Sequence, residues 1–444
     1  MGMDKQVGEL IYQEEERQQK TLALIPSENY ASPAVREAMA SCFANKYAEG
    51  YPQKRYYQGN EVVDKLERLC QERAQKLFGV PHVNVQPLSG APANLAIIKA
   101  LWSDKNDVQL SQLLSSGGHL SMGQEVSVTN MVMPAVFYTL DKSGEINWEE
   151  LFAKAREHKP RIIWSGGTGY TRIFHWEKYR LIADEVGAYF VADISHIGGL
   201  VAGGAHPTPV PYADVVMTTT HKSLRGPRGA MIMVTDRGLK KDPDLGQKID
   251  KAVFPGTQGG PHMENVAALV VALAEAGTEE FKEYSRQIVA NANTLASELA
   301  IRGYELVGGG TENHMVWIDL SNKGIDGWTA AWALEYAGMI ANRQTVPDDA
   351  KSAYYPSGLR LGTPAVTTRG MKEAEMKTIA GWIDKAVESC RVAVGSKYKD
   401  IGNPDKVKDQ EARKKFKDEM ASDAVLAGIK KEVEELCGRF LCPR

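Results

Sequence analysis

The most constraining feature of this chain is a series of short apolar runs separated by stretches of helical length. Residues 161–164, 188–192 and 215–219 are each long enough for one buried strand, and residues 176–186 between the first two read as a helix. Apolar strands that alternate with helices imply a mainly parallel sheet in an α/β domain. The pattern extends from about Ser32 to Glu275. From Glu279 the texture changes. A long helical stretch, 279–301, leads into strand candidates at 304–307 and 315–320, on either side of the turn Gly308-Gly309-Gly310. The expected organisation is therefore an N-terminal arm (1–30), a large α/β domain (31–278) and a smaller α+β domain (279–444). Asp4 can cap a helix in the arm with Val7, Leu10 and Ile11 along one face, suited to packing on another surface. Residues 397–419 are dense in Lys, Asp and Glu, and their mixed signs suggest a solvated helix or a mobile insertion.

Composition excludes several classes. A net charge of −3 over 444 residues gives no reason to expect nucleic acid or an anionic membrane as partner. No apolar run reaches the ~18 residues needed to span a bilayer. The five cysteines, Cys42, Cys70, Cys390, Cys437 and Cys442, are odd in number and none is spaced as Cys-x-x-Cys. This fits a reducing compartment better than a disulfide framework or a zinc ribbon. The N-terminus lacks the apolar core of a signal peptide, and Gln6 stands where a myristoylation signal needs Ser or Thr. The expected address is the cytoplasm.

Three places carry chemistry. The run Tyr189-Phe190-Val191-Ala192-Asp193 ends a strand in a carboxylate, with His196 just beyond. Ligands of open α/β sheets gather at the carboxyl ends of strands. Alone, such an Asp is more often a turn or a helix cap, and such a His a satisfied structural residue. A second apolar strand, Val215 to Thr220, ends in His221-Lys222-Ser223. Burial lowers a lysine's pKa and frees the neutral amine for Schiff-base formation; an isolated lysine would more often reach the surface instead. The third place is Ser89-Gly90-Ala91-Pro92-Ala93-Asn94, which opens an apolar helical stretch and suits an anion at a helix N-terminus. An amine, a carboxylate and a phosphate cradle together are what a pyridinium cofactor requires.

At this point the chain resembles a known family. The stretches Ser27-Glu28-Asn29-Tyr30, Asn45-Lys46-Tyr47-Ala48-Glu49-Gly50-Tyr51-Pro52, Lys54-Arg55-Tyr56-Tyr57, Gly117-Gly118-His119-Leu120 and Thr218-Thr219-Thr220-His221-Lys222 are similar to those of serine hydroxymethyltransferases. So are Val253-Phe254-Pro255-Gly256, Gln258-Gly259-Gly260-Pro261 and Ser357-Gly358-Leu359-Arg360-Leu361-Gly362-Thr363-Pro364, and the matches run in family order. The resemblance implies fold-type I of the pyridoxal-phosphate transferases (aminotransferase-like): a large domain with a mainly parallel seven-stranded sheet, plus a smaller α+β C-terminal domain. It also implies a homodimer or tetramer with shared active sites, and small-molecule substrates: serine, glycine and, as co-substrate, tetrahydrofolate.

Carried over by position, Lys222 would hold the cofactor aldehyde and Asp193 would face the ring nitrogen. His119 would stack on the ring, with His196 and Thr168 near its phenolic oxygen. Ser89, Gly90 and the backbone of Ala91 would hold the phosphate, helped by Tyr47 and Gly260 of the other subunit. Arg360 would clamp the substrate carboxylate with help from Ser27, and Arg228 would keep the Lys222 pKa down. Glu49 and Tyr57, lent by the partner chain, would handle protons near the substrate hydroxyl. Leu114, Gly118, Leu120, Tyr56 and Gln344 would form the folate site.

The sequence departs from the family at several positions. Ala91 replaces a usual phosphate-binding Ser, a loss of about 0.5–1.5 kcal/mol for one neutral hydrogen bond. Met122 replaces a usual His, Gln53 a usual Gly, Gln344 a usual Asn, and Thr168-Gly169-Tyr170 stands for Ser-Ala-Tyr. Gln344 and Met122 favour an alternative on the same scaffold, a folate-independent β-hydroxy-amino-acid aldolase or transaldolase. A non-catalytic binding relative is disfavoured by the intact lysine, aspartate and arginine. A metal enzyme has only one Asp-x-x-His to build on.

Overall fold

The computed structural model describes residues 4–443. They form two compact units: one runs from Ala31 to Arg286, the other comprises the residues up to Tyr30 and those from Gln287 on. The chain passes from the first to the second inside the helix Glu279–Ile301.

The unit of residues 31–286 is built on a seven-stranded sheet. Its strands in chain order are β1 (His82–Asn84), β2 (Gln109–Gln112), β3 (Ala135–Tyr138), β4 (Ile162–Ser165), β5 (Tyr189–Asp193), β6 (Val215–Thr219) and β7 (Ala230–Val234). The spatial order is β1-β7-β6-β5-β4-β2-β3. β2 to β6 pair in parallel, and β7 runs antiparallel to both its neighbours. Every residue of β4, β5, β6 and β7 is buried. This is why their sequences read as continuous apolar runs rather than as an alternation. The helix Trp176–Val186 crosses from β4 to β5 and stops at Gly187, whose φ of 75° lies in the left-handed region. One core cluster packs Ile97, Leu101 and Ile249 against Trp164, Val191 and Met217 of the sheet. Each strand expected at 161–164, 188–192 and 215–219 is present to within a residue.

The other unit carries a four-stranded antiparallel sheet of β8 (Glu305–Leu306), β9 (Met315–Asp319), β10 (Asn342–Gln344) and β11 (Gly358–Gly362), in the order β8-β9-β11-β10. Val316 and Ile318 of β9 and Leu359 and Leu361 of β11 point into a core filled by the helices Glu279–Ile301, Gly327–Tyr336 and Glu373–Ser396. Trp317 and Arg360 alternate to the other face. The N-terminal helix Lys5–Lys20 is capped by Asp4, whose Oδ1 accepts from the Gln6 and Val7 amides at 2.9 and 3.1 Å. None of its residues is buried, and Val7, Leu10 and Ile11 are exposed.

The segment 397–419 departs from its expectation. It carries all but the last residue of the helix Lys406–Met420, which is docked along Asp409, Arg413, Phe416 and Met420, all buried. It is neither wholly solvated nor a loose insertion. Among the described residues, no helix is long and apolar enough to cross a membrane.

Candidate active site

β5 and β6 are parallel neighbours, with Asp193 opposite Met217, and the chemistry-bearing residues sit where they end. Asp193 is the last residue of β5. Lys222 follows β6 in a turn closed by the Arg225 amide donating to the Lys222 carbonyl at 3.0 Å. Serines tie the two strand ends together. The Thr219 amide donates to Ser195 Oγ, and Ser223 Oγ donates to the His196 carbonyl, each at 3.0 Å. Lys222, Asp193 and His196 therefore belong to one end of the sheet.

Asp193 is held by donors on both oxygens. Its Oδ1 accepts from the Ser195 amide and its Oδ2 from Asn94 Nδ2, both at 3.0 Å. Asn94 Nδ2 also donates to Ser121 Oγ (2.9 Å), which lies 2.7 Å from His119 Nδ1. One hydrogen-bonded chain thus joins His119 to Asp193. Thr168 is fastened to the same loop, its Oγ1 donating to the Gly118 carbonyl at 2.9 Å and its amide to that of Gly117 at 2.7 Å. Gly117, at φ +91°, is required here, because a Cβ on it would lie 2.3 Å from the Gly169 carbonyl oxygen.

The helix Gly90–Leu101 opens beside them. Ser89 is its N-cap residue in extended conformation, and its hydroxyl makes no capping bond. The first amides of a helix have no partner inside it, and Pro92 has none to offer. The Gly90 and Ala91 N–H groups and the Ser89 hydroxyl thus remain for an anion. A Cβ on Gly90 would meet Thr219 Cγ2 at 2.8 Å, so this helix end abuts the end of β6, three residues before Lys222. A phosphate cradle, a lysine and a fixed carboxylate at one sheet end fit pyridoxal phosphate.

His221 is half-buried. Burial first, then the charges of Lys222 and Arg228, push its imidazole down to about 4. Arg228 itself is exposed.

Tyr47, Glu49, Tyr57 and Gly260 gather in a second cluster. Tyr57 OH donates to Glu49 Oε2 at 3.2 Å, and the rings of Tyr47 and Tyr57 meet edge to face at 5.4 Å. A Cβ on Gly260 would lie 3.5 Å from Tyr47 Cε1 and 3.6 Å from Glu49 Cγ. The charge of Glu49 pushes the Tyr57 phenol upward. Tyr47 and Tyr57 are exposed, as is Tyr56, which packs on Phe254. Leu114 and Leu120 are exposed on the loop after β2. A Cβ on Gly118 of that loop would come within 2.0 Å of the Gln112 carbonyl oxygen.

In the other unit, Arg360 of β11 lies opposite Trp317 of β9 and Asn342 of β10. Its Nε donates to Asn342 Oδ1 at 3.4 Å, and burial pushes its guanidinium down to about 10. Strand alternation puts Gln344 on the same face as Asn342 and Arg360. Gly362, two residues past Arg360, donates its amide to the Leu24 carbonyl at 2.7 Å. A Cβ there would strike Pro26, so the segment leading to Ser27 lies against this strand end. Met122, weighed in the sequence against folate use, is buried in the core beneath the large sheet.

Sequence reasoning missed Asn94, Ser121, Ser195 and Ser223, which hold the site together. Asn94 left one signal. A polar amide at the start of an apolar helix has to be buried with partners.

The fold and site define a fold-type I pyridoxal-phosphate transferase. A family model described as serine hydroxymethyltransferase matches residues 1–383. The serine hydroxymethyltransferase of Desulfotalea psychrophila is 47% identical over 440 residues, 99% of this chain and 95% of that protein. Those of Acidothermus cellulolyticus and Sorangium cellulosum are 51% and 50% identical over 86% and 87% of this chain, and 88% and 90% of their own lengths. The chain belongs to the serine hydroxymethyltransferase family.

Proposed function

We propose that this chain interconverts serine and glycine, with pyridoxal phosphate as its cofactor and tetrahydrofolate as the acceptor of the one-carbon unit. The observation that carries the reading is the meeting of Lys222, Asp193 and an open helix N-terminus at the ends of two adjacent parallel strands. When bound, the cofactor supplies an aldehyde for amine exchange and an electron sink for the substrate Cα.

The chain's own residues do the rest. Lys222 provides the anchoring amine. Ser89 and the amides of Gly90 and Ala91 take the phosphate. Asp193, oriented by Ser195 and Asn94, holds a proton at the ring nitrogen. His119, placed by Ser121, is the candidate to cover the ring face, with Thr168 and His196 toward its phenolic oxygen. Arg360 pairs with the substrate carboxylate through its planar fork, and Ser27 assists. Glu49, with the Tyr57 hydroxyl on it, moves the proton of the serine hydroxyl. Leu114, Gly118, Leu120, Tyr56 and Gln344 line the folate position.

We assign Tyr47, Glu49, Tyr57 and Gly260 to the partner's site in a homodimer. The exposure of Tyr47, Tyr56 and Tyr57, and of the apolar face of Lys5–Lys20, supports a surface that another copy covers.

The test is serine cleavage with and without tetrahydrofolate. The rate should rise strongly with the folate. A rate indifferent to it would replace this reading with a folate-independent aldolase.

A further inference from the structure

The loop that carries Glu49 is gripped from beneath by a buried charge network. Arg55 belongs to the hairpin of Gly50–Tyr51 with Lys54–Arg55, and its side chain is only 4% exposed. Its Nη1 donates to the carbonyls of Ala48 and Gly50, each at 2.8 Å, and these are the carbonyls on either side of Glu49. Its Nε donates to Asp64 Oδ1 at 2.9 Å and its Nη2 to Glu67 Oε2 at 2.5 Å. Glu67 is fully buried, and its other oxygen accepts from Gln86 Nε2 at 2.8 Å. The same Gln86 amide donates to the Gly50 carbonyl at 3.0 Å. Gln258 continues the network, donating to the Gln86 carbonyl (2.8 Å) and accepting from the amide of Leu88 (3.3 Å), the residue before Ser89.

This is an unusual amount of polar machinery to bury beneath one loop. Buried ion pairs are poor devices for stability, since desolvation offsets most of the attraction. They do fix geometry. One planar guanidinium that binds the carbonyls before and after a residue sets the direction in which that side chain leaves the backbone. A lysine ammonium cannot span two carbonyls and two carboxylates at once.

We propose that Arg55, with Glu67 and Gln86 behind it, is a positioning residue that aims Glu49 at the hydroxyl proton of the substrate. The inference rests on the reading of Glu49 as the group that handles that proton. Its chemistry separates two reactions of one site. Serine cleavage needs the hydroxyl proton moved, whereas exchange of the glycine α-proton with solvent involves no hydroxyl.

The experiment compares Arg55→Lys, Glu67→Gln and Glu49→Gln in the cofactor-loaded enzyme. Serine cleavage and the exchange of glycine labelled at Cα are measured side by side. Arg55→Lys should lower kcat for serine at least tenfold, with KM changed less than threefold and glycine exchange within twofold of the parent. Glu67→Gln, which keeps the shape and removes one charge, should show the same split more weakly. Should Arg55→Lys fail to fold, the Glu67→Gln split decides the matter alone. If Glu49→Gln cleaves serine normally, the reading of Glu49 fails. If Glu49→Gln is impaired while both network variants cleave serine normally, the positioning inference is overturned and that reading stands. Equal losses in both reactions for the network variants would also overturn it, leaving Arg55 a merely structural residue.

Discussion

Between Thr220 and Lys222, the half-buried His221 ring keeps its Nδ1 away from water with no hydrogen-bond partner. Its imidazole is held down to about 4 against an ordinary value of 6.5, by burial first and then by the neighbouring positive charges. Between those two values the unfolded chain binds a proton that the folded chain refuses. Stability supported by the neutral ring is thus complete above pH 6.5 and falls away as the pH drops toward 4. The shift corresponds to about 3 kcal/mol at most. In cofactor-free protein, urea midpoints at pH 7.5 and 4.5 should show the parent losing roughly 2–3 kcal/mol more than His221→Asn over that interval. Gln53 illustrates how a sequence anomaly acquires a physical meaning. The resemblance leads one to expect Gly there, and the φ of Gln53 is +65°, a conformation that strains any residue with a Cβ by about 1–2 kcal/mol. Its amide donates to Asp64 Oδ2 at 2.7 Å, so the same carboxylate that holds Arg55 also holds this turn. The positions of Lys222 and Asp193 at strand ends could be read from the chain, because one follows an apolar strand and the other closes one. The partners of Asn94 and Ser121 could not, since they lie 99 and 27 residues away and only folding brings them near.

Among the elements, the helix Lys406–Met420 departs furthest from what its composition suggests. Asp409, Arg413, Phe416 and Met420 recur at helical spacing, but two of the four are charged, so the stripe is hidden in a run of Lys, Asp and Glu. Folding buries those charges together. Arg413 donates to Asp326 Oδ2 at 2.7 Å and to both oxygens of Asp409, and stacks 3.7 Å from the centroid of Tyr355. Removing the cation would leave two carboxylates inside without it. Arg413→Ala should therefore lower unfolding stability by about 3–5 kcal/mol. On the exposed face of the same helix, Lys414→Ala should stay within about 0.5 kcal/mol. Urea titration of both variants checks the contrast. The strands were far easier to read. β4, β5 and β6 are buried along their whole length, so hydrophobicity alone marked them out.

For the molecule as a whole, the proposed sharing of sites between subunits has a direct consequence. Lys222→Ala and Glu49→Gln damage different halves of each site, so each homodimer should be nearly inactive alone. Mixed dimers would contain one site with both residues intact and one with neither. After subunit exchange, activity should recover to about a quarter of the parent's, the fraction set by random pairing of a two-fold dimer. A mixture as inactive as its components would show that each chain completes its own site. The family match stops at residue 383, which falls inside the helix Glu373–Ser396. Ala386, Val387 and Cys390 beyond that point, then Phe416, Ile429 and Val433 on the helices that follow, fill the same core as Leu359 and Leu361 on either side of Arg360. Trimming the polypeptide at residue 383 would leave the strand that carries Arg360 resting on an interior stripped of part of its core. In this protein the boundary of the family model runs through the middle of what must fold, and similarity to the Desulfotalea psychrophila relative continues past it.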